Sequence, residues 1–147
     1  MSPSPFGRHQ QIAMRLATLL QNAIDGSECD AVVLAKIDWI VSNNTVVRPD
    51  VLVYCGAAPP GHVEHPPAFI AEVFSPSTKE RDETAKRKLY QDEGVMYYWM
   101  LDPDQSLLTA LELSDHGIYE QQEIDEVSVL DVCADCELRF QVNRLFR

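Results

Sequence analysis

An acid lies inside an apolar run at Phe69-Ile70-Ala71-Glu72-Val73-Phe74. Burying a carboxylate there is costly unless a cation compensates its charge. The stretch Val46-Val47-Arg48-Pro49-Asp50-Val51-Leu52-Val53 poses the same problem for Asp50. Taken singly, each acid has a plainer reading. Asp50 can be a turn or bulge acid paired with Arg48, and Glu72 can end a strand where its side chain reaches water. Taken together, two acids on neighbouring strands can share one divalent cation through oxygen ligands. Such an ion lowers the pKa of a bound water and stabilises charge on a phosphoryl oxygen. The next segment offers Asp82, Lys86 and Tyr90 at four-residue steps, a single stripe along a helix. A plain Asp–Lys helix pair, worth a few tenths of a kcal/mol, has the same spacing. The order acid, acid, lysine across strand, strand and helix favours a site.

The elements that must hold these residues follow from periodicity. Ile12, Leu16, Leu19, Leu20, Ala23 and Ile24 recur at helical spacing, so residues 9–24 read as an amphipathic helix stopped by Asp25-Gly26. Ala31–Leu34 and Ile37–Val41 are short β-branched runs, and Ser42-Asn43-Asn44 marks a turn. Thr45–Tyr54 reads as a strand interrupted by Pro49, which predicts an edge position or a bulge that re-aims a side chain. After a Pro/Gly/His loop, Ala68–Phe74 is a buried strand. Ser75–Gly94 is a second helix, with Ser77 and Glu80 at capping-box spacing and Gly94 as its stop. Tyr97–Leu101 is another buried strand. Leu107–Leu113, Ile118–Glu120, Val127–Leu130 and Leu138–Val142 complete a β meander joined by acidic turns. Helices and strands mixed in this order predict an α/β or α+β fold in one domain over residues 1–147.

Composition bounds the partners. Hydrophobic content of 46% with 24% charged residues suits a soluble globular protein. No apolar run approaches a membrane span, and the first residues lack the basic start and apolar stretch of a signal peptide, so no membrane partner and a cytoplasmic location are expected. Cys29 and Cys55 read as small buried hydrophobes in strand-like surroundings. Cys133-x-x-Cys136 has no second pair at suitable spacing for zinc. His62 and His65 could complete a set, but core or loop cysteines are the better reading. The net charge of −11 argues against nucleic acid until its distribution is considered. Between Val95 and Leu138 there are eleven carboxylates and no Lys or Arg, whereas Lys79, Arg81, Lys86, Arg87 and Lys88 place five of twelve cations within ten residues. That cluster reads as a solvated helix face on composition alone, and as a phosphate-facing one if a nuclease site lies beside it.

Several motifs resemble those of one family. Arg48-Pro49-Asp50, then Glu72-Val73-Phe74-Ser75-Pro76-Ser77-Thr78, then Asp82, Lys86, Tyr90, Gly94-Val95, Tyr98-Trp99 and Asp102-Pro103 resemble the Uma2 (Uma-two) family of restriction endonucleases, within the PD-(D/E)XK nuclease superfamily. His9 and the helix after it are similar to the family's opening helix, so the resemblance spans roughly residues 9–142. It implies a restriction-endonuclease-like α-β-β-β-α-β core and Mg²⁺-dependent (or Mn²⁺-dependent) endonucleolytic hydrolysis of DNA phosphodiesters. It implies Asp50, Glu72 and Lys86 as catalytic residues, Asp82 and Tyr90 as supports, and Asp50, Glu72 and the Val73 carbonyl as metal ligands. Lys79, Arg81 and Arg87 are the expected DNA contacts, and a homodimer would present two sites to the two strands of a duplex. The superfamily's usual Glu-x-Lys is here Glu72-Val73-Phe74, so the lysine comes from the helix. The alternative is a catalytically silent nuclease-fold module for DNA binding or protein assembly, because fold alone does not imply function.

Overall fold

In the computed structural model of the chain, residues 7–74 and 79–147 are described, the side chains of residues 79–82 excepted. The chain opens with helix α1 (Gly7–Asp25) and strand β1 (Ala31–Ala35). A two-stranded excursion follows, β2 (Trp39–Ser42) and β3 (Thr45–Val47), and then β4 (Val51–Cys55) and β5 (Phe69–Val73). Helix α2 (Lys79–Asp92) leads into β6 (Tyr97–Asp102), β7 (Leu107–Leu113) and β8 (Tyr119–Gln122). The hairpin β9 (Val127–Val132) and β10 (Cys136–Gln141) ends the order. The main sheet runs β1-β4-β5-β6-β7-β8. It is antiparallel except for the β5–β6 pair, which α2 connects. The result is the expected α+β class.

Three details differ from expectation. Thr45–Tyr54 is not one strand: Pro49 ends β3, which pairs only with β2, and β4 belongs to the main sheet. A proline gives no ladder N–H, so the chain changes partner there. The terminal meander also splits. β7 and β8 extend the main sheet, while β9 and β10 pair with each other and pack on α1. Finally, Cys29 and Cys55 are not isolated buried thiols. Cys29 is bonded to Cys136 and Cys55 to Cys133, Cys29 is half-buried and Cys55 exposed. Partners 107 and 78 residues away are chosen by tertiary packing, which residue spacing cannot report.

The sheet is covered on both faces, and the pleat decides which side chain meets which cover. Val51, Val53, Phe69, Ala71, Val73, Tyr97, Trp99 and Leu101 face α1, whose Ile12, Leu16, Leu20 and Ile24 form a stripe with no solvent exposure at the first three. Full burial contributes roughly 1.5–3 kcal/mol per large apolar side chain, more than helix propensity over the same turns. Leu52, Ile70, Tyr98, Met100 and Leu111 face the other way, towards Trp39 and Tyr90. Glu72, one step beyond Ala71, falls on this second face. Gly94 (φ 81) ends α2 in a left-handed conformation, and the Val95 N–H donates to the Tyr90 carbonyl at 3.0 Å. Tyr119 then anchors the helix end: its N–H donates to Gln91 Oε1 at 2.8 Å and its hydroxyl to the Val95 carbonyl at 2.7 Å.

Candidate active site

Register brings the two acids together. β4 and β5 pair antiparallel up to Val51 opposite Ala71, and Asp50 and Glu72 are the next residues on the two segments. They are close enough for the Asp50 charge to act on Glu72. The end of the β1–β4 ladder holds the backbone at Asp50. The Lys36 N–H is shared between the Pro49 carbonyl at 3.2 Å and the Asp50 carbonyl at 3.3 Å, and Lys36 itself has φ 51. A lysine at positive φ is uncommon, and such strain persists only where the surroundings enforce it.

Both carboxylates are buried. Asp50 Oδ1 accepts from Lys36 Nζ at 2.8 Å and Oδ2 from the Val73 N–H at 2.8 Å. Arg48, the partner considered for Asp50, instead reaches Asp38 at 2.8 Å. Glu72 Oε1 accepts from the Tyr90 hydroxyl at 2.9 Å and Oε2 from Lys86 Nζ at 3.2 Å. Burial pushes the Glu72 carboxyl up to about 7, with the nearby Asp50 charge adding to the rise, while Lys86 and the Tyr90 hydroxyl work in the opposite direction. Tyr90 is held between Trp39, stacked at 6.1 Å, and Tyr98, edge-on at 4.9 Å. Burial and the Glu72 charge drive its phenol far above its usual value, so it stays a proton donor.

Lys86 and Tyr90 therefore share the inward stripe of α2, one turn apart, and Arg87 and Lys88 are turned to solvent. Lys88 pairs with Asp92 at 2.8 Å. Arg87 lies close enough to Tyr119 to act on it electrostatically. The expected roles of Asp82, Lys79 and Arg81, and the Ser77–Glu80 capping box, fall on side chains outside the described residues.

Sequence reasoning passed over two residues at this site. His9, at the head of the apolar stripe of α1, donates from Nε2 to the Val73 carbonyl, and the same nitrogen lies 3.8 Å from Asp50 Oδ2. Its Nδ1 is buried with no hydrogen-bond partner among the described residues. The available signal was its place, a polar residue three and seven positions before Ile12 and Leu16. Lys36 follows β1 and Asp50 precedes β4, so they meet because β2 and β3 are an excursion from a paired β1 and β4. That signal exists only once the excursion is recognised.

The donor set tests what the site could hold. His9 Nε2 donates to the Val73 carbonyl and lies 3.8 Å from Asp50 Oδ2, so these two oxygens flank one point, with Glu72 on β5 nearby. Among the described residues, with the four cysteines paired as disulfides, no three His, Cys, Asp or Glu side chains assemble as a metal-holding group. Two carboxylates and a carbonyl suit a hard ion that keeps several waters, as Mg²⁺ does, rather than one needing an all-protein cage.

Comparison with known proteins gives the same outline. The Uma2 family profile, described as "Putative restriction endonuclease", matches residues 1–143. An uncharacterized protein of Synechocystis, slr1290, is 30% identical over 95 residues, 63% of this chain and 50% of that protein. The chain thus spans about half the length of that curated relative. Among solved structures, a "putative nuclease belonging to DUF820" from Anabaena variabilis superposes with a TM-score of 0.72 at 16% identity, over 99% of this chain and 84% of that one. That likeness concerns the fold. The profile covers nearly the whole sequence, and the chain belongs to the Uma2 family.

Proposed function

We propose that the chain is a Mg²⁺- or Mn²⁺-dependent endonuclease that hydrolyses DNA phosphodiester bonds in the cytoplasm. The observation that carries this reading is the neighbouring pair Asp50 and Glu72, both buried, with a lysine from the adjacent helix on Glu72. Asp50, Glu72 and the Val73 carbonyl would hold the ion. When bound, the ion supplies a coordinated water acidic enough to attack at neutral pH and positive charge for the phosphoryl oxygens. Tyr90 fixes one Glu72 oxygen and leaves the other to Lys86. Lys86 is partly exposed, so its ammonium can orient the attacking water or meet charge developing on the phosphate. Arg87, exposed on the outward side of α2, would contact backbone phosphates, with Lys79 and Arg81 as further contacts. No described helix is long and apolar enough to cross a membrane.

A second reading is a silent nuclease-fold module. The pairing of both acids with lysines favours it, because Lys36–Asp50 and Lys86–Glu72 neutralise the site without a metal. Calorimetric titration with Mn²⁺ separates the two, together with nicking of supercoiled DNA in Mg²⁺ or in chelator. The nuclease reading requires metal-dependent nicking that Asp50→Ala and Lys86→Ala abolish. No binding at millimolar metal leaves the module.

A further inference from the structure

The four cysteines are scattered in sequence, and the fold gathers them at one corner, away from the acids. Cys133 lies on the turn between β9 and β10, where Cys133, Ala134 and Asp135 have φ values of 53, 45 and 66, and Cys136 opens β10. Cys29 bonds to Cys136 and Cys55 to Cys133, with Cα separations of 5.3 and 5.4 Å. On the sheet side, Cys55 is the register partner of Ala31, and the Gly56 N–H donates to the Asp30 carbonyl at 2.8 Å. Cys29 and Cys55 therefore stand on adjacent chain segments. The two disulfides thus tie the ends of one turn to two neighbouring segments, and no cysteine is free.

Disulfides persist in oxidising compartments, whereas the cytosol keeps thiols reduced. In the cytoplasmic setting proposed above, this corner would hold four thiols. We propose that the reduced cluster is a tetrathiolate Zn²⁺ site with Cys29, Cys55, Cys133 and Cys136 as ligands. Cys133-x-x-Cys136 has the spacing of a zinc half-site. Its second half comes from the approach to β1 and the end of β4, which is why no second motif appears in the sequence. Zinc binds thiolates at about 2.3 Å in a tetrahedron, placing sulfurs about 3.8 Å apart. The Cα atoms of each bonded pair, 5.3 and 5.4 Å apart, are already within reach of that spacing.

The conversion balances. Each disulfide takes two electrons and two protons from a dithiol reductant, which closes to its own cyclic disulfide. The four thiols then release four protons to the buffer as Zn²⁺ binds. In either state the same four cysteines pin the β9–β10 hairpin to β1 and β4. The cluster is separate from the proposed nuclease site, because Cys55 ends β4 and Asp50 precedes it, five residues or roughly 16 Å away along the strand.

The probe is Co²⁺, added to full-length chain reduced with dithiothreitol and desalted without oxygen. The expected result is thiolate-to-cobalt charge-transfer absorption with tetrahedral visible bands, saturating at about one Co²⁺ per chain and bleached by equimolar Zn²⁺. Cys29→Ser and Cys133→Ser should each weaken binding and reduce the charge-transfer intensity. Glu72→Gln should leave the bands unchanged, so failure of the nuclease reading would not touch this result. Absence of thiolate bands with wild-type chain, or bands unaltered in both serine variants, overturns the proposal. If the reduced chain has lost its native circular dichroism, Zn²⁺ must restore it, and failure to do so also overturns the proposal.

Discussion

At the scale of single residues, Glu72 carries the clearest physical signature. Its carboxyl is raised to about 7, chiefly by burial, from 4.5 in the unfolded chain. The native state therefore keeps a proton that the unfolded state releases, and folding stability falls as pH rises from about 4.5 through 7. Glu72→Gln keeps the shape and removes the titration. In chelator, the variant should match wild type near pH 4 and exceed it at pH 8, by about 1–3 kcal/mol in thermal or denaturant unfolding. Added Mg²⁺ should raise the wild-type melting temperature and leave the variant's where it was. A Gln variant less stable than wild type at pH 8 in chelator would mean that the Lys86 and Tyr90 contacts outweigh burial. His9 makes a separate prediction. By holding the Val73 carbonyl beside Asp50 it acts as a positioning residue, and His9→Ala should weaken Mn²⁺ binding about 10–100-fold by calorimetry with the fold intact.

Helix α2 is the element on which the nuclease reading turns. Tyr90 is buried against Trp39 and Tyr98, which fixes the rotation of the helix and commits Lys86, one turn earlier, to the Glu72 side. Arg87 and Lys88 are left outside. Lys88→Ala should retain most cleavage, whereas Lys86→Ala should remove it with an unchanged circular dichroism spectrum. Charge reversal at Lys79 and Arg87 should weaken DNA binding and flatten its salt dependence, by about 0.9 in log–log slope per lost phosphate contact. Neutralising Asp115, Glu123 and Asp125, on the acidic half of the chain, should leave that slope nearly unchanged. Equal effects of the two sets, measured by fluorescence anisotropy across a salt series, would remove α2 as the DNA face. This helix was also the most legible element. The four-residue spacing of Lys86 and Tyr90 after an acid-bearing apolar run carries its orientation, and Gly94 its end, while the expected start at Ser75 lies outside the described residues. Pro49, in contrast, marked an interruption without saying that β3 and β4 lie in different sheets, because pairing partners depend on the whole topology.

On the scale of the whole molecule, what the sequence concealed are contacts between distant segments. The apolar alternation of β4, β5 and β6 carried the two-faced sheet, and the buried acids carried the site. Nothing in local spacing connects Lys36 with Asp50, His9 with Val73, or Cys29 with Cys136, since each pairing appears only after the chain is folded. The cysteine links also bear on stability. They close loops spanning 107 and 78 residues, and in the chain-entropy account each such loop restricts the unfolded state by on the order of 4–5 kcal/mol. Because both links end in the same turn, the second adds less than the first. Even one is comparable with the total stability of about 5–15 kcal/mol typical of a domain. Reduction in a chelator, which removes both the disulfides and any zinc, should therefore lower the melting temperature by about 10 °C or more. The loss should fall first on β9 and β10, whose strand pairing is only with each other, and which are otherwise held by α1, by this corner, by the Asp131 N–H donating to the Tyr97 hydroxyl and by Phe140 against Trp99. Hydrogen exchange should show amides of 127–141 losing protection while those of β5 and β6 keep theirs. If protection of the hairpin survives reduction, Leu130, Leu138, Phe140 and Val142 packed in the α1 core are sufficient to hold it, and the cysteine corner is not what pins the hairpin.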